Sequence, residues 1–237
     1  MSVALLIPAA GSGQRLGLSV PKAVADIGGR SLLARTIEGF CGTRGLTEIV
    51  VAVPSDSAEL FQRVLADVRL EGCAVRTVVG GATRQDSVRL ALAAVGPAIR
   101  LVAVHDAARP LAGRPMLEAV LAAAERDGAA TVVTRPADSV REIEHPGGHV
   151  SKAVDRERLR LVGTPQAFQR ELLARAHERG YREKIEVTDD ASLVEHCEGA
   201  KVSLVERDEL NLKVTRPDDL DLVRLIFADL SKRGSRR

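Results

Sequence analysis

The stretch VALLIPAAGSGQRLGLSVPK, residues 3–22, decides the fold class because an apolar run passes directly into a glycine-rich loop. Residues 3–7 are continuously apolar, which predicts a strand buried on both faces. The loop that follows has three glycines and two cations, Arg15 and Lys22. Glycines after a strand let a backbone come close to a ligand, and the neighbouring cations indicate that this ligand carries phosphate.

Five more short runs rich in Val, Ile and Leu follow the first, and segments with helical periodicity separate them. The runs are residues 48–54, 74–80, 100–105, 130–134 and 201–206. Continuous apolar runs are typical of parallel strands, and their alternation with helices is typical of an α/β protein. We therefore predict a single domain over residues 1–237, an α/β fold with a doubly wound, mostly parallel, Rossmann-like sheet.

One segment, residues 136–159, breaks this alternation and predicts a protruding β-hairpin arm. Two strand-like halves flank the sequence HPGGH, in which Pro-Gly-Gly is typical of a turn. Both halves are mostly polar, and an isolated two-stranded ribbon is marginally stable in water, so we expect the arm to lean on a second subunit. His145 and His149 have no third ligand near them, which favours a hairpin tip over a metal site.

The composition of the 237-residue chain argues against several classes of function. Aromatic residues make up 2%, so the stacking platforms of single-stranded nucleic-acid binders are missing. A net charge of +2 does not suggest a nucleic-acid coat, and no apolar stretch is long enough to span a bilayer. Three scattered cysteines without a CxxC pair favour reduced thiols and a cytoplasmic location.

The two ends of the chain have recognisable patterns. The apolar run at residues 3–7 has no basic region before it, so we expect a first strand there and not a signal peptide. Near the other end, the sequence predicts a final helix with Thr215 as its cap, Asp218 as the reciprocal partner and Pro217 in the first turn. The basic residues 231–237 predict a solvated, mobile tail.

Two familiar phosphate-binding patterns fail against the opening loop. A dinucleotide fingerprint and a Walker loop both require glycine at position 16, which is Leu16 here. The dinucleotide pattern also needs an acidic residue after the second strand, where the chain has Pro54. Two interpretations stay open: a plain tight turn, or a loop that wraps a nucleotide's phosphates with backbone N–H groups and reaches them with Arg15 and Lys22.

A series of motifs identifies the family that the chain resembles. In order they are PAAGSGQRLG with PK, GGATRQDSV, VHDAARP, AVDRERL, GTPQAF, TDDAS and KVTRPDDL. The first resembles the signature of nucleotidyltransferases that couple a nucleoside triphosphate to a sugar or polyol phosphate. Together, over nearly the whole chain, the motifs resemble the 2-C-methyl-D-erythritol 4-phosphate cytidylyltransferase family.

The resemblance implies that CTP transfers CMP to methylerythritol 4-phosphate and releases pyrophosphate, in the non-mevalonate route to isoprenoid precursors. The nucleophile is a phosphate monoester oxygen with a second pKa of about 6, so it needs no strong general base at neutral pH. The obstacle is repulsion between two anions, and catalysis then rests on positioning and cations. Mg²⁺ is the expected cofactor, because a triphosphate binds it with few protein ligands.

The resemblance also assigns the nucleotide site. Arg15, Lys22 and Lys213 are expected to contact the triphosphate and to hold the charge that develops at phosphorus. The apolar neighbours of Lys213 predict partial burial, so a ligand or a carboxylate must face it. Asp106 is expected at the carboxyl edge of the sheet, where it binds ribose or helps to place Mg²⁺. The pocket for base and ribose is assigned to Pro8, Ala9, Ala10, Gly11, Gly81, Ser87, Asp106 and Ala107.

The acceptor phosphate is assigned by resemblance to Arg109, Ser139, Arg156 and Thr164. Ser139 stands where the family arm has threonine, and the hydroxyl donor is kept. In the family this arm crosses to a partner subunit, so the resemblance implies a homodimer with shared sites. The chain departs from the family after PK, where Ala23 and Val24 replace a Gln and an aromatic residue, so local packing is expected to differ.

Three alternative functions stay open on the sequence. A ribitol 5-phosphate cytidylyltransferase, acting on another polyol phosphate, shares most of the motifs. A Rossmann-type oxidoreductase is opposed by Leu16 and by the missing ribose acid. A non-catalytic nucleotide-binding protein predicts CTP binding without pyrophosphate release, and the retained cations speak against it. His105, beside Asp106, is interpreted as a packed or hydrogen-bonded histidine.

Overall fold

The protein is built on a seven-stranded sheet, seen in a computed structural model that describes residues 2–11 and 20–234. The strands are β1 (Val3–Pro8), β2 (Leu46–Val53), β3 (Ala74–Val79), β4 (Leu101–Val104), β5 (Ala129–Thr134), β8 (Leu161–Gln169) and β9 (Ser203–Glu206), and a separate ribbon contains β6 (Arg141–Ile143) and β7 (Val150–Ala153). The order in the main sheet is β3-β2-β1-β4-β8-β5-β9. All neighbours are parallel except β8, which runs antiparallel to β4 and β5, so the mostly parallel sheet is confirmed.

Helices cover both faces of the sheet. Within the described residues they are α1 (Leu32–Glu38), α2 (Ala58–Leu65), α3 (Arg84–Ala94), α4 (Arg114–Asp127), α5 (Arg170–Glu183), α6 (Asp190–Glu198) and α7 (Pro217–Gly234). The first, second and fourth pack on one face, and the third, fifth and sixth pack on the other. The predicted doubly wound arrangement is therefore confirmed.

Strand β1 shows why its sequence is apolar at every position. Val3, Leu5 and Ile7 face the core under α1 and α4, whereas Ala4 and Leu6 face the core under α3. All five side chains are fully buried. Successive side chains of a strand point to opposite faces, so a strand covered on both sides has no position left for a polar residue.

Strand β8 is the one main-sheet strand that the apolar runs did not predict. Gly163 and Pro165 interrupt it, and both residues are depleted in strands. Pro165 lies where the register between β5 and β8 shifts, a place that tolerates a residue without an N–H donor. The strand carries the GTPQAF motif into the centre of the sheet, beside the end of β4.

The predicted hairpin is present, and it has almost no core of its own. Strands β6 and β7 pair only with each other within the described residues, and every residue in them is exposed. Gly147 adopts a φ of 80° in the turn that joins them. The arm therefore leaves the body of this chain without packing against the main sheet.

The last helix begins one residue later than the predicted cap implies. The Asp219 carboxylate accepts hydrogen bonds from the backbone N–H groups of Thr215 and Arg216, both at 2.8 Å, and from the Thr215 hydroxyl. Asp218 as the reciprocal partner is therefore wrong, because Arg216 stands at the cap and Asp219 is three residues after it. Residues 231–234 continue α7, residues 231–233 are exposed, and residues 235–237 lie outside the described part, so the mobility of this tail stays a prediction.

None of the helices in residues 2–11 and 20–234 combines the length and the apolar character needed to cross a membrane.

Candidate active site

A cavity of about 410 Å³ opens at the carboxyl ends of β1 and β4. The chain winds outward from β1 to β3 and returns to β4 on the other side of β1. Such a reversal is the place where open α/β sheets bind ligands. The predicted site residues that line the cavity are Pro8, Ala9, Ala10, Gly11, Lys22, Gly81, Ser87, Asp106, Ala107 and Lys213.

Two glycines shape the turn after β3, where Gly80 lies against the end of β1 and Gly81 lies against the first turn of α3. A Cβ atom on Gly80 would lie 2.6 Å from the Ala10 Cβ, and one on Gly81 would lie 2.3 Å from the Asp86 Cβ. Both distances are shorter than real Cβ contacts, so a larger residue at position 80 would push the turn away from Ala10, and one at position 81 would push it away from α3. The Ser87 hydroxyl fixes the turn by accepting a hydrogen bond from the Gly81 N–H at 3.2 Å.

Helix α3 starts at the cavity wall. Its cap is Thr83, whose hydroxyl accepts a hydrogen bond from the Asp86 N–H at 3.0 Å. Thr83 and Arg84 both line the cavity. The N-terminus of a helix carries partial positive charge and unpaired N–H groups, so it adds to the attraction of this cavity for anions.

Asp106 is the centre of a cluster of charges. Its Oδ1 atom lies 3.2 Å from Arg84 Nε, and its Oδ2 atom lies 2.9 Å from Lys213 Nζ and 3.3 Å from Arg109 Nε. Burial raises the pKa of the Asp106 carboxyl, but the three cations outweigh it and hold that pKa well below its usual range. The Asp106 carboxylate is therefore ionised at neutral pH and holds the three surrounding cations around it.

Two predicted lysines meet at the mouth of the cavity. Lys22 Nζ donates a hydrogen bond to the Val214 carbonyl at 3.0 Å, immediately beside Lys213 in the chain. The Lys213 side chain is 40% exposed and faces the Asp106 carboxylate, so the prediction of a partly buried lysine opposite a carboxylate is confirmed. A cavity flanked by these cations can hold a polyanion and stabilise charge that develops on it.

His105 holds the turn beneath Asp106 and is fully buried. Its Nε2 atom lies 3.1 Å from the Arg109 carbonyl, which can only accept, so Nε2 carries the proton. Its Nδ1 atom then accepts from the Thr164 hydroxyl at 3.1 Å, and the Thr164 oxygen accepts from the Asp106 N–H at 3.0 Å. Burial lowers the pKa of His105 to about 4, so the neutral ring positions this turn.

The four acceptor residues are split between two places. Arg109 and Thr164 contact Asp106, close to the cavity. Ser139 and Arg156 belong to the exposed arm and do not line the cavity. The Arg156 guanidinium donates to the Ala137 carbonyl at 2.8 Å. Arg15, the third predicted triphosphate contact, lies outside the described residues.

Sequence reasoning missed Arg84 as a site residue. Its guanidinium bridges two carboxylates, Asp106 on one side and Asp190 on the other, where Nη1 lies 2.7 Å from Oδ2. Both partners stand in quoted motifs, VHDAARP and TDDAS, and Arg84 itself stands in GGATRQDSV. The motifs were therefore the available signal, but the sequence did not show that the three residues meet.

The surroundings of Asp106 do not fit a directly bound metal ion. No group of three or more His, Cys, Asp or Glu side chains that could hold a metal occurs in the described part of the chain. Both Asp106 oxygens already face cations at 3.3 Å or less. A divalent ion on the same carboxylate would be repelled by all three.

Comparisons with known proteins agree with one another. The family model described as 2-C-methyl-D-erythritol 4-phosphate cytidylyltransferase matches residues 3–229. The relative of that name from Deinococcus radiodurans is 44% identical over 219 residues, covering 92% of this chain and 87% of the relative. The relative from Frankia casuarinae is 42% identical over 227 residues, covering 95% and 81%. The crystal structure of the enzyme from Thermus thermophilus matches with a TM-score of 0.76 at 38% identity, covering 95% of this chain and 98% of that one.

Proposed function

The chain belongs to the 2-C-methyl-D-erythritol 4-phosphate cytidylyltransferase family, and from this premise we propose how its own residues carry out the reaction. The activity is CTP-dependent transfer of a cytidylyl group to 2-C-methyl-D-erythritol 4-phosphate, a step in isoprenoid precursor synthesis. The single observation that carries the assignment of roles is the cavity at the ends of β1 and β4, where Lys22 and Lys213 flank a wall of small residues.

Cytosine and ribose occupy the part of the cavity lined by small residues. Ala10, Gly81 and Ser87 meet there because Gly80 lets the turn after β3 approach Ala10 and Ser87, and Gly81 lets the same turn lie against Asp86. A large side chain would fill this slot, and a narrow slot favours a pyrimidine over a purine. The triphosphate then extends toward the lysines, and Arg15 adds a contact from outside the described residues.

The chemical step is an in-line displacement at the α-phosphorus of CTP. An oxygen of the acceptor phosphate forms the new P–O bond, the bond to the β-phosphate breaks, and pyrophosphate leaves with the electron pair. The acceptor oxygen is already ionised at neutral pH, so no side chain has to remove a proton. Lys22 and Lys213 lower the barrier by offsetting the charge that builds on the phosphoryl oxygens.

Mg²⁺ is expected to bind the protein together with the triphosphate. Mg²⁺ keeps several waters and binds mainly through substrate phosphates, so it does not require the crowded Asp106 carboxylate. The enzyme works in the cytoplasm, where its three cysteines stay reduced; Cys41, Cys73 and Cys197 are all free thiols.

The acceptor site is completed by a second copy of the chain. Arg156 and Ser139 belong to an arm whose strands have no partner in the main sheet among the described residues. The arm and its base expose apolar side chains, including Ile143, Val150 and Leu161, which a partner subunit would cover. The protein is accordingly a homodimer in which each arm delivers Arg156 and Ser139 to the neighbour's cavity.

A pyrophosphate-release assay tests the proposal. The four ribonucleoside triphosphates are each combined with methylerythritol 4-phosphate and with ribitol 5-phosphate, in the presence of Mg²⁺. Pyrophosphate is expected with CTP and methylerythritol 4-phosphate, and turnover with every other pair is expected to be lower by at least about tenfold. Preference for ribitol 5-phosphate, or CTP binding without pyrophosphate, would contradict it.

A further inference from the structure

A buried carboxylate, Asp190, stands behind the cavity wall and takes no part in the roles given above. Its side chain is 1% exposed, and its Oδ2 atom accepts a hydrogen bond from Arg84 Nη1 at 2.7 Å. The other edge of the same guanidinium reaches Asp106, with Nε 3.2 Å from Oδ1. Arg84 is thus held between one carboxylate that faces the cavity and one that does not.

Asp190 is itself held firmly. His177, which is 1% exposed, lies with Nε2 3.0 Å from Asp190 Oδ1. The Gln166 side-chain oxygen accepts hydrogen bonds from the N–H groups of Asp190 and Ala191, both at 3.1 Å. Gln166 belongs to β8, so the first turn of α6 is tied to the central sheet. The Asp190 carboxylate therefore has little freedom to follow Arg84 if that side chain moves.

Burial raises the pKa of Asp190, but the nearby Arg84 and His177 outweigh it and keep that pKa below its usual value. The carboxylate is consequently charged at neutral pH. A buried ion pair of this kind is weak evidence for a stabilising role, because apolar residues of similar size often serve stability as well. Its fixed geometry is better explained by what it does to Arg84.

We propose that Asp190 is a positioning residue for the nucleotide site, acting through Arg84. By holding Nη1, Asp190 fixes the plane of the guanidinium so that it reaches Asp106 through Nε. Without Asp190, the planar guanidinium would pair through two N–H groups with Asp106, the arrangement that arginine and carboxylate prefer. Asp106 would then turn away from Lys213, and the cation facing the triphosphate would lose its position.

This inference rests on the proposed function only in taking CTP as the ligand. It predicts a coupling between Asp190 and Arg84 that is visible in CTP affinity, whether or not the acceptor is present. A residue that merely stabilised the fold would lower the melting temperature and leave affinity unchanged at temperatures well below it.

The test is a double-mutant cycle on the full chain with Asp190→Asn, Arg84→Gln and the double variant. CTP affinity is measured by titration calorimetry, and KM is measured for both substrates. Asp190→Asn alone is expected to weaken CTP binding about tenfold, a typical size for coupled neighbours, and to change the acceptor KM by less than about twofold. In the Arg84→Gln background the same change is expected to alter CTP affinity by less than about twofold.

Glu195→Gln is the matched control, because it makes the same change of charge on the exposed face of α6. It is expected to change neither affinity nor KM. Equal losses from Asp190→Asn in both backgrounds, or no loss in the unmodified one, would overturn the inference. If Asp190→Asn alone does not fold, the double variant is compared with Arg84→Gln, and a further loss of CTP affinity overturns it.

The two proposals fail in different ways. An unmodified protein that binds CTP but releases no pyrophosphate would contradict the proposed function, and the cycle would still measure the coupling. Normal pyrophosphate release with independent effects of the two substitutions would overturn only the role of Asp190.

Discussion

An arginine at the cavity and an arginine in the arm differ in exposure and in the number of charged partners. Arg84, at the cavity, is held between two carboxylates on separate parts of the chain, and its side chain is 28% exposed. Arg156, at the base of the arm, is 49% exposed and lies 3.8 Å from its neighbour Glu157. Exposed pairs of the second kind contribute little, because water and salt screen them. Arg84 is therefore held by carboxylates from two other segments of the body, whereas Arg156 is held by Ala137 and Glu157 of the arm itself.

The difference follows from packing. The cavity lies at the end of strands that are covered on both faces, so its polar groups are held by a rigid frame. The arm strands are exposed throughout, and within residues 2–11 and 20–234 each pairs with the other and with no third strand. A two-stranded ribbon is marginal in water, and a partner surface can supply the missing apolar contact. The comparison predicts that the two regions respond differently to the same kind of change.

The largest effect is expected from removing a cavity lysine. Lys22→Ala or Lys213→Ala should lower kcat about 10²–10³-fold, the range seen when one stabiliser of transition-state charge is lost. The melting temperature should hardly change, because both side chains stand at the cavity rather than in the core. Steady-state pyrophosphate release and thermal unfolding measure the two quantities. Lys201→Ala, on an exposed lysine, is the control, and a cavity variant that matched it in turnover would remove that lysine from the mechanism.

A smaller and different effect is expected at the arm. Arg156→Ala should raise KM for the acceptor about tenfold or more, with little change in CTP affinity, because it removes the charged hydrogen bond that we propose Arg156 makes to the acceptor phosphate. An effect confined to CTP would contradict the assignment. Calorimetric titration of CTP beside acceptor saturation curves separates the two cases.

Mixing variants sharpens the same comparison. In a dimer of one Lys22→Ala chain and one Arg156→Ala chain, one cavity carries both changes and the other carries neither, if arms are exchanged. When equal amounts of the two variants reassociate at random, about half of the dimers are mixed. About a quarter of all sites should then be unmodified, and activity should recover to about a quarter of that of the unmodified protein. If each arm served its own cavity, every site would carry one change and no recovery would be seen.

Lowering the pH should reduce the free energy of unfolding, because His105 is buried as a neutral ring. Its pKa is about 4 in the folded protein against 6.5 ordinarily, so the unfolded chain takes up a proton first as the pH falls. Stability is therefore lost between about pH 6.5 and 4, by roughly 3 kcal/mol from this group. Asp106, with a lowered pKa, contributes stability above its ordinary value of 3.8 and loses it only at lower pH.

Urea unfolding at a series of pH values checks this contribution. His105→Gln should be less stable at neutral pH, because it loses part of the bonding to Thr164 and Arg109. Its stability should also fall less steeply between pH 6.5 and 4 than that of the unmodified protein. Parallel curves for the two proteins would mean that another group causes the acid sensitivity.

The same contrast explains which parts of the fold the sequence could predict. Strands covered on both faces, such as β1 and β2, have continuous apolar runs and were found from that pattern. Strand β8 was not, because Gly163 and Pro165 break its pattern, and its place between β4 and β5 depends on tertiary pairing. The arm was found from its turn chemistry, whereas the proposed contact of the arm with a second subunit has no local sequence pattern of its own.

The site residues also include some that the sequence could predict and some that it could not. Lys22, Asp106 and Lys213 were predictable because each stands in a family motif, and the structure brings all three to one cavity. Arg84 and Asp190 also stand in motifs, yet they are 106 positions apart and neither pattern indicates an ion pair. This pair forms because α3 and α6 pack on the same face of the sheet. A local sequence pattern does not predict that packing.

Two glycines with positive φ values, one in the body and one in the arm, allow a further comparison of the two regions. Gly128, after α4, has a φ of 92°, and Gly147, in the arm turn, has a φ of 80°. A Cβ atom at Gly128 would make only an ordinary contact with Leu172, and one at Gly147 would meet nothing within 4 Å. Alanine at either position is strained by its φ alone, at a cost of about 1 kcal/mol. Both variants therefore place a strained alanine in the chain, one at the end of α4 and one in the arm turn.

Gly128→Ala should lower the free energy of global unfolding by about 1 kcal/mol, because the end of α4 and the start of β5 unfold with the whole sheet. Gly147→Ala should leave global unfolding unchanged and should speed amide hydrogen exchange in β6 and β7, because the ribbon can open while the body stays folded. Urea unfolding and native-state exchange measure the two effects on the same samples. Equal losses of global stability would mean that the arm folds as one unit with the sheet, and the contrast between a packed body and a separately opening arm would then be wrong.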